Sequence, residues 1–316
     1  MKATLNKSWG LRFGAKLDQY LFILILVSLV LGFVFSWLLY RFNGAIPYLF
    51  AYVTFIMALG CSWTQIKQAL QMRYAMLLVL IASHVVAPLI AYGMGILIFG
   101  AESPYLIGLV LFAIIPLGVS SVLWVGLSNG NVTFALAVII LDSALSPFVV
   151  PGEISLFFGA HIQFDHLKMM LDLVIIIVIP TLVGIGINVM SRAKAKPWSE
   201  PISAPTSKLA FLGVILLNAA TIRPIAMQVK QDMLYIFPAV LVLVGVCYGL
   251  GMLIARLQSN NSLPITMVYT TGMRNNSLGI VLALSFFEAR AAVPVLLSIL
   301  IQQPFASLVQ WIIKKK

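Results

Sequence analysis

Thr271-Gly272-Met273-Arg274-Asn275-Asn276-Ser277 lies inside an apolar run that otherwise extends from Leu263 to Phe287. About 20 apolar residues are enough to cross the roughly 30 Å of bilayer hydrocarbon as a helix, so the run reads as a membrane span broken at its centre. A second run, Tyr105 to Leu127, is broken by Ile115-Pro116-Leu117-Gly118. Proline removes a backbone donor and glycine permits unwinding, so each break frees amides and carbonyls at a depth where water does not satisfy them. Because orphaned backbone facing lipid costs several kcal/mol per group, the two breaks predict an enclosed polar site.

Outward from the breaks, the chain reads as an all-α membrane protein with ten transmembrane helices. The expected spans are Gln19–Leu39, Ile46–Trp63, Tyr74–Phe99, Tyr105–Leu127, Val132–Phe157, Leu167–Met190, Leu209–Ile222, Leu234–Ala255, Leu263–Phe287 and Ala291–Ile313. The seventh is short for a crossing, which places its start nearer Ser207. Composition agrees: 61% of residues are hydrophobic and 9% charged, and a mean hydropathy of +1.05 excludes a soluble domain. The one clear linker is Ser191 to Ser207, where Pro197, Pro201 and Pro205 stand among cations and hydroxyls and predict an exposed loop.

Lys and Arg set the orientation. They gather before Asp18, at Lys67 and Arg73, from Arg192 to Lys208, at Arg256 and at Lys314–Lys316, whereas Arg41, Lys168, Arg223, Lys230 and Arg290 fall on the other side. Both termini are therefore expected in the cytoplasm, with the chain in the cell (inner) membrane. Anionic lipid headgroups account for the net charge of +11, and no nucleic-acid partner is implied. The apolar run after the charged N-terminus is long enough to span and is followed by no cleavage site, so it reads as a retained first helix. Cys61 and Cys247 form neither a disulfide framework nor a metal site and read as packing residues. No paired acids or His-Glu-x-x-His motif point to an enzyme, and no cofactor is expected.

The irregularities recur. Pro88 answers Pro238, Ser146-Pro147-Phe148 answers Gln303-Pro304-Phe305, and the fourth-span break answers the ninth. The chain therefore divides into two five-helix repeats, residues 1–158 and 159–316. An odd number of spans per half inserts the halves upside down relative to each other, and matching broken helices in such halves point to a transport site near the midplane.

The same stretches carry a family likeness. Gly272-Met273-Arg274-Asn275-Asn276-Ser277-Leu278 resembles the Gly-Met-Gln-Asn-Ser-Gly-Leu stretch of the ninth helix in the bile acid:sodium symporter family, part of the bile/arsenite/riboflavin transporter superfamily. Pro116 to Val132, ending Ser128-Asn129-Gly130-Asn131-Val132, and Leu145-Ser146-Pro147 beyond it, are similar to that family's fourth and fifth helices. The resemblance implies a panel of spans one, two, six and seven and a core of the others, with the fourth and ninth helices crossing, and it implies organic-anion substrates. The chain departs from the family at its sodium ligands. Thr270 stands for a glutamate and Arg274 for a glutamine; the Ser-Asn pair becomes Ser121 and Val122; Ala135 and Ile139 replace hydroxyls; and Ser83, beside His84, stands for a glutamine.

A permanent guanidinium where sodium would sit points to a proton, or to no coupling ion, in place of sodium. Arg274 at mid-membrane depth costs about 2.5–3.5 kcal/mol on the insertion scale and needs an acceptor. It is expected either to bind a substrate carboxylate or to pair with Asp142, deep in span five, and His84 is a candidate to move a proton with them. Thr270, Thr271, Asn275, Asn276, Ser120, Ser121 and Ser83 are expected around the site, Asn218 on the panel side, and Pro116, Gly118 and Gly272 at the breaks. Static packing is the alternative for each. Glu102, Glu153, Asp165 and Glu288 read as solvated loop acids on the outer side. The expected function is secondary transport of a small organic anion, with membrane lipid as the surrounding partner, and a homodimer is compatible with such a chain. The alternatives are a non-transporting sensor or scaffold, and an arsenite-type exporter, whose reactive thiol on span four this chain lacks.

Overall fold

Local signals set where the helices begin and end. Ser103 caps one helix by accepting from the Tyr105 amide at 3.2 Å, with Pro104 following at a position where its missing N–H costs nothing. Asn131 caps the next long helix through Phe134 N at 2.9 Å, and Asp165 caps another through Lys168 N at 2.9 Å. A computed structural model describes residues 9–61, 63–159, 164–258 and 262–314; Lys2, Lys7, Lys315 and Lys316, among the cations expected on the cytoplasmic side, lie outside them.

The described residues fold as helices: α1 Trp9–Gln19, α2 Leu21–Val34, α3 Ile46–Ala58, α4 Trp63–Gln71, α5 Arg73–Phe99, α6 Pro104–Ile114, α7 Ser121–Leu127, α8 Val132–Phe158, α9 His166–Met190, α10 Ala195–Gln228, α11 Met233–Ala255, α12 Leu263–Gly272, α13 Asn276–Phe286 and α14 Ala292–Lys314. Six segments among them are long and apolar enough to cross a bilayer: α5, α8, α9, α11, Ala195–Thr221 of α10 and Ala289–Ile312. The protein is a multi-pass membrane protein. The expected fourth and ninth spans each resolve into two short helices, α6/α7 and α12/α13. The expected first span appears as α2, of 14 residues, continued across Phe35 by a helical turn at Ser36–Leu39, and the second as α3, of 13 residues.

The expected loop from Ser191 to Ser207 is corrected. α10 begins at Ala195 and runs for 34 residues through all three prolines. Pro197 falls in the first turn, where the N–H has no intrahelical acceptor. Pro201 and Pro205 follow at intervals of four, so the missing donors lie along one face and the ladder continues on the others. The linker shrinks to a turn at Arg192 and Ala193, both at positive φ, closed by Ala193 N donating to Asn188 O at 2.8 Å. The seventh span accordingly begins well before Leu209.

Contacts divide the chain into two compact units, one of residues 1–63 and 175–223, the other of residues 64–174 and 224–316. In the first, the Lys208 ammonium bonds Asp18 at 2.6 Å and the Gly14 carbonyl at 3.0 Å, Tyr52 bonds Thr206 at 2.6 Å, and the Asn188 amide donates to Leu59 O at 2.7 Å. In the second, α6 is apolar on every side and every residue from Leu109 to Ile115 is buried, as a helix with no polar stripe must be. α8 crosses that unit with Pro147 and Pro151 inside it. The hydroxyl of Ser146 donates to Ser143 O at 2.7 Å, replacing the N–H that Pro147 lacks.

Candidate functional site

Each break is written locally. Proline drives the residue before it toward extended backbone, and Ile115, before Pro116, leaves α6 at φ −61°, ψ 150°. The partner break opens at Met273, φ −115°, ψ 131°, and ends where the Asn275 side chain accepts from Leu278 N at 3.5 Å to start α13.

The two breaks meet. Gly118 N donates to Met273 O, and Asn275 N to Pro116 O, both at 2.8 Å, so that Leu117 and Arg274 face each other as an antiparallel pair. It is the pair type whose own amides point away from the partner strand, and side chains from two other helices receive them. Leu117 N donates to Asp142 Oδ2 of α8 at 2.7 Å. Arg274 N donates to Gln302 Oε1 of α14 at 2.8 Å, and Gln302 Nε2 returns a bond to Arg274 O at 3.3 Å. The approach is close enough that a Cβ on Gly118 would stand 2.7 Å from Arg274 O. A Cβ on Gly272 would stand 2.4 Å from the Tyr248 ring.

The Arg274 side chain is buried, with 1% of its surface exposed. Nη2 donates to Ser83 O at 3.1 Å, and Pro88 makes that carbonyl available. With no N–H at position 88, the ladder of α5 steps into a π turn over Ala82–Val86, and the Ala87 amide bonds Ala82 O instead of Ser83 O. The Nε and Nη1 donors have no partner, and no carboxylate lies within ion-pair distance of the guanidinium among the described residues. The Cys247 thiol lies beside it.

The expected Arg274–Asp142 pair is therefore not formed. Asp142 instead bonds His84 Nε2 at 2.6 Å, and the other ring nitrogen of His84 faces Glu153 at 3.4 Å. The π turn sets this ring's direction, so one backbone irregularity aims both the Ser83 carbonyl and the His84 imidazole. Glu153 is corrected from a solvated loop acid to a member of α8 with a largely covered side chain. Asp142 and Glu153 are about three turns apart at 3.6 residues per turn and share a helix face, a spacing visible in the sequence. Asp165 caps α9, and Glu288 meets Arg290 at 3.3 Å.

Thr270 bonds carbonyls of its own helix, Thr266 O at 2.9 Å and Met267 O at 3.4 Å. Ser83 Oγ, Ser121 Oγ, Thr271 Oγ1 and Asn276 Oδ1 are buried without hydrogen-bond partners, and these last three flank the breaks in sequence. Ser120 precedes α7 without a side-chain cap bond. Asn218 belongs to the other unit, buried with neither amide atom bonded. Gln302 was not anticipated, although its neighbour Gln303 stands in the repeated proline motif; Gln303 itself accepts from Trp124 Nε1 at 2.9 Å.

Residues 46–232 match the model of the Sodium Bile acid symporter family. A Bacillus subtilis (strain 168) protein described as "Uncharacterized protein YbaS" is 34% identical over 289 residues, covering 91% of this chain and 94% of that one. A second from the same strain, "Uncharacterized sodium-dependent transporter YocS", is 26% identical over 273 residues, covering 85% of this chain and 83% of its own length. Broken helices joined in the interior and a likeness running nearly end to end lead to one assignment: the chain is a transporter-type member of the sodium bile acid symporter family.

Proposed function

We propose that this protein is a secondary transporter of small organic anions that works by alternating access, with Arg274 as the group that receives the anion. The observation that carries the reading is a permanent cation, buried at the meeting point of two unwound segments, with two of its donor nitrogens unpartnered. Such a charge is costly to bury alone, and a carboxylate ligand would supply the missing acceptor through strong charge-assisted bonds. The inverted-repeat architecture is part of the reading: the same sequence offset separates Leu117 from Arg274 and Pro147 from Pro304. The division of the chain into two compact units supports a panel of spans one, two, six and seven and a core of the rest. The distribution of Lys and Arg supports an inner-membrane placement with cytoplasmic termini.

Sodium is not part of the proposal, because the residues do not fit it. A hard cation needs several oxygen ligands; the unpartnered oxygens of Ser83, Ser121, Thr271 and Asn276 are all neutral, the Thr270 hydroxyl bonds its own helix, the Ser83 carbonyl is held by Arg274, and the buried guanidinium repels a second cation. A proton or the anion's own gradient supplies the drive. Importing a monovalent anion against about 100 mV costs roughly 2.3 kcal/mol and exporting it gains as much, so a proton carried with the anion cancels the electrical work of entry. Proteoliposome uptake of acetate, pyruvate and succinate under imposed sodium and pH gradients tests this. An inward proton gradient or internal anion is expected to drive flux without sodium, with Arg274→Gln slower by about 10- to 100-fold. Strict sodium dependence, or full transport by Arg274→Gln, overturns it.

A further inference from the structure

His84 stands between two acids, and the geometry sets a proton requirement that the transport reading leaves open. A neutral imidazole carries one N–H, yet both ring nitrogens face carboxylate oxygens, Asp142 Oδ1 at 2.6 Å and Glu153 Oε1 at 3.4 Å. With both acids ionised and the ring neutral, one of those contacts sets lone pair against lone pair. An additional proton turns both contacts into hydrogen bonds. The arrangement is graded in cover, Asp142 at 2% exposed and Glu153 at 12%, so the end at Glu153, toward Phe158, is the more open.

We propose that Asp142, His84 and Glu153 form a proton-binding site whose occupancy is read by the backbone of the helix crossing through the Asp142–Leu117 bond. The proton comes from bulk water and forms an N–H bond at His84 Nδ1, directed at Glu153; it leaves by the same route, and no other bond is made or broken. Loaded, the imidazolium donates to both acids and holds Asp142 in place to receive Leu117 N. Unloaded, the ring keeps its Nε2–H but sets the Nδ1 lone pair against ionised Glu153; that repulsion turns the imidazole away, so the hydrogen bond to Asp142 is lost while the Leu117 amide still depends on that carboxylate. The charged and titratable groups facing His84 are few among the described residues. α8 brings Asp142 and Glu153, the second break brings Arg274, close enough to act on Glu153, and α11 brings Cys247 beside Arg274. α6 presents no titratable group from Leu106 to Ile114, and the Tyr92 ring of α5 packs at a tilt against Phe157 and edge-on against Phe158.

The inference deepens the transport reading by locating the proton, and it rests on that reading only for its purpose. Its test therefore needs no substrate. Amide hydrogen exchange of the full chain in lipid nanodiscs, followed over Leu117–Ser121 and corrected for the intrinsic effect of pH, reads the crossing directly. Protection there is expected to fall by about tenfold between pH 5.5 and pH 8.5 in the parent, the change expected for one lost charge-assisted bond. Glu153→Gln and Glu153→Ala remove the repulsion and are expected to leave protection high and independent of pH, whereas His84→Gln is expected to leave it low at both. A parent with no pH dependence, or Glu153 variants that keep the parent's dependence, overturns the site whatever the flux measurements give. Pronounced sodium-driven flux with the expected exchange pattern leaves the proton site standing and removes only the sodium-independent coupling of the transport reading.

Discussion

The two breaks are alike in backbone and opposite in chemistry. Each contributes one residue to the facing pair, and each outward amide is received by a side chain from a proline-containing helix, α8 or α14. At the first break the paired residue is apolar, Leu117, and the receiving group is a carboxylate, Asp142. At the second the paired residue is cationic, Arg274, and the receiving group is a neutral amide, Gln302. The backbone solution is thus shared while the charge is divided. The positive charge sits on the crossing itself and the negative charge behind it, which keeps the guanidinium free of a permanent counter-ion. A carboxylate in place of Gln302 would have closed that opportunity.

The strongest way to break the comparison is at the point of closest approach. Gly118→Val places a Cβ 2.7 Å from a backbone carbonyl, an atom that cannot swing aside. Several kcal/mol of destabilisation and loss of monodisperse protein in detergent are expected, read by thermal unfolding followed by size exclusion. Gln302→Leu tests the second cap alone. It leaves the buried Arg274 amide without a partner, whereas Arg274 O keeps its bond from Asn276 N at 3.0 Å; the loss is about 1–3 kcal/mol for an unsatisfied group, seen as a lower melting temperature with the first break's exchange protection unchanged. The smallest effect is expected for Pro88→Ala. The new N–H lets the α5 ladder close, recaptures the Ser83 carbonyl and deprives Arg274 of its acceptor; the gain in helix and the loss of that bond nearly offset, leaving a change within about 1 kcal/mol. Anion affinity is then the more sensitive readout, since one more guanidinium donor becomes available.

How much of this was legible in the sequence varied with the range of the interaction involved. The breaks were readable because Pro116, Gly118, Gly272 and Arg274 stand in apolar runs where nothing else explains them. Their pairing, residue against residue, was not, because it depends on hydrogen bonds between segments far apart in the chain. Glu153 was misread because an acid near the end of a span looks like a loop charge. Its place on the Asp142 face was the signal, and it became meaningful only with His84 brought to the same face. Of the two partners expected for Arg274, Asp142 is not met, for a related reason: the sequence offers carboxylates as counter-ions but does not advertise a carbonyl released by a proline five residues downstream. In α10, prolines at intervals of four looked like a loop by composition, while their spacing was the mark of a helix with one donor-poor face.

The facing pair has a mechanical consequence. Leu117 and Arg274 make a ladder with a single rung, closed by the Gly118 and Asn275 amides, so there is no neighbouring rung from which it can unzip gradually. Sliding the strands by two residues would bring Asn276 opposite Leu117 and carry the guanidinium out of place, with a proline on one side and helix starts on the other barring a new register. The junction therefore behaves as a latch with two positions, made or unmade, and small displacements of the flanking helices reach it either as nothing or as complete release.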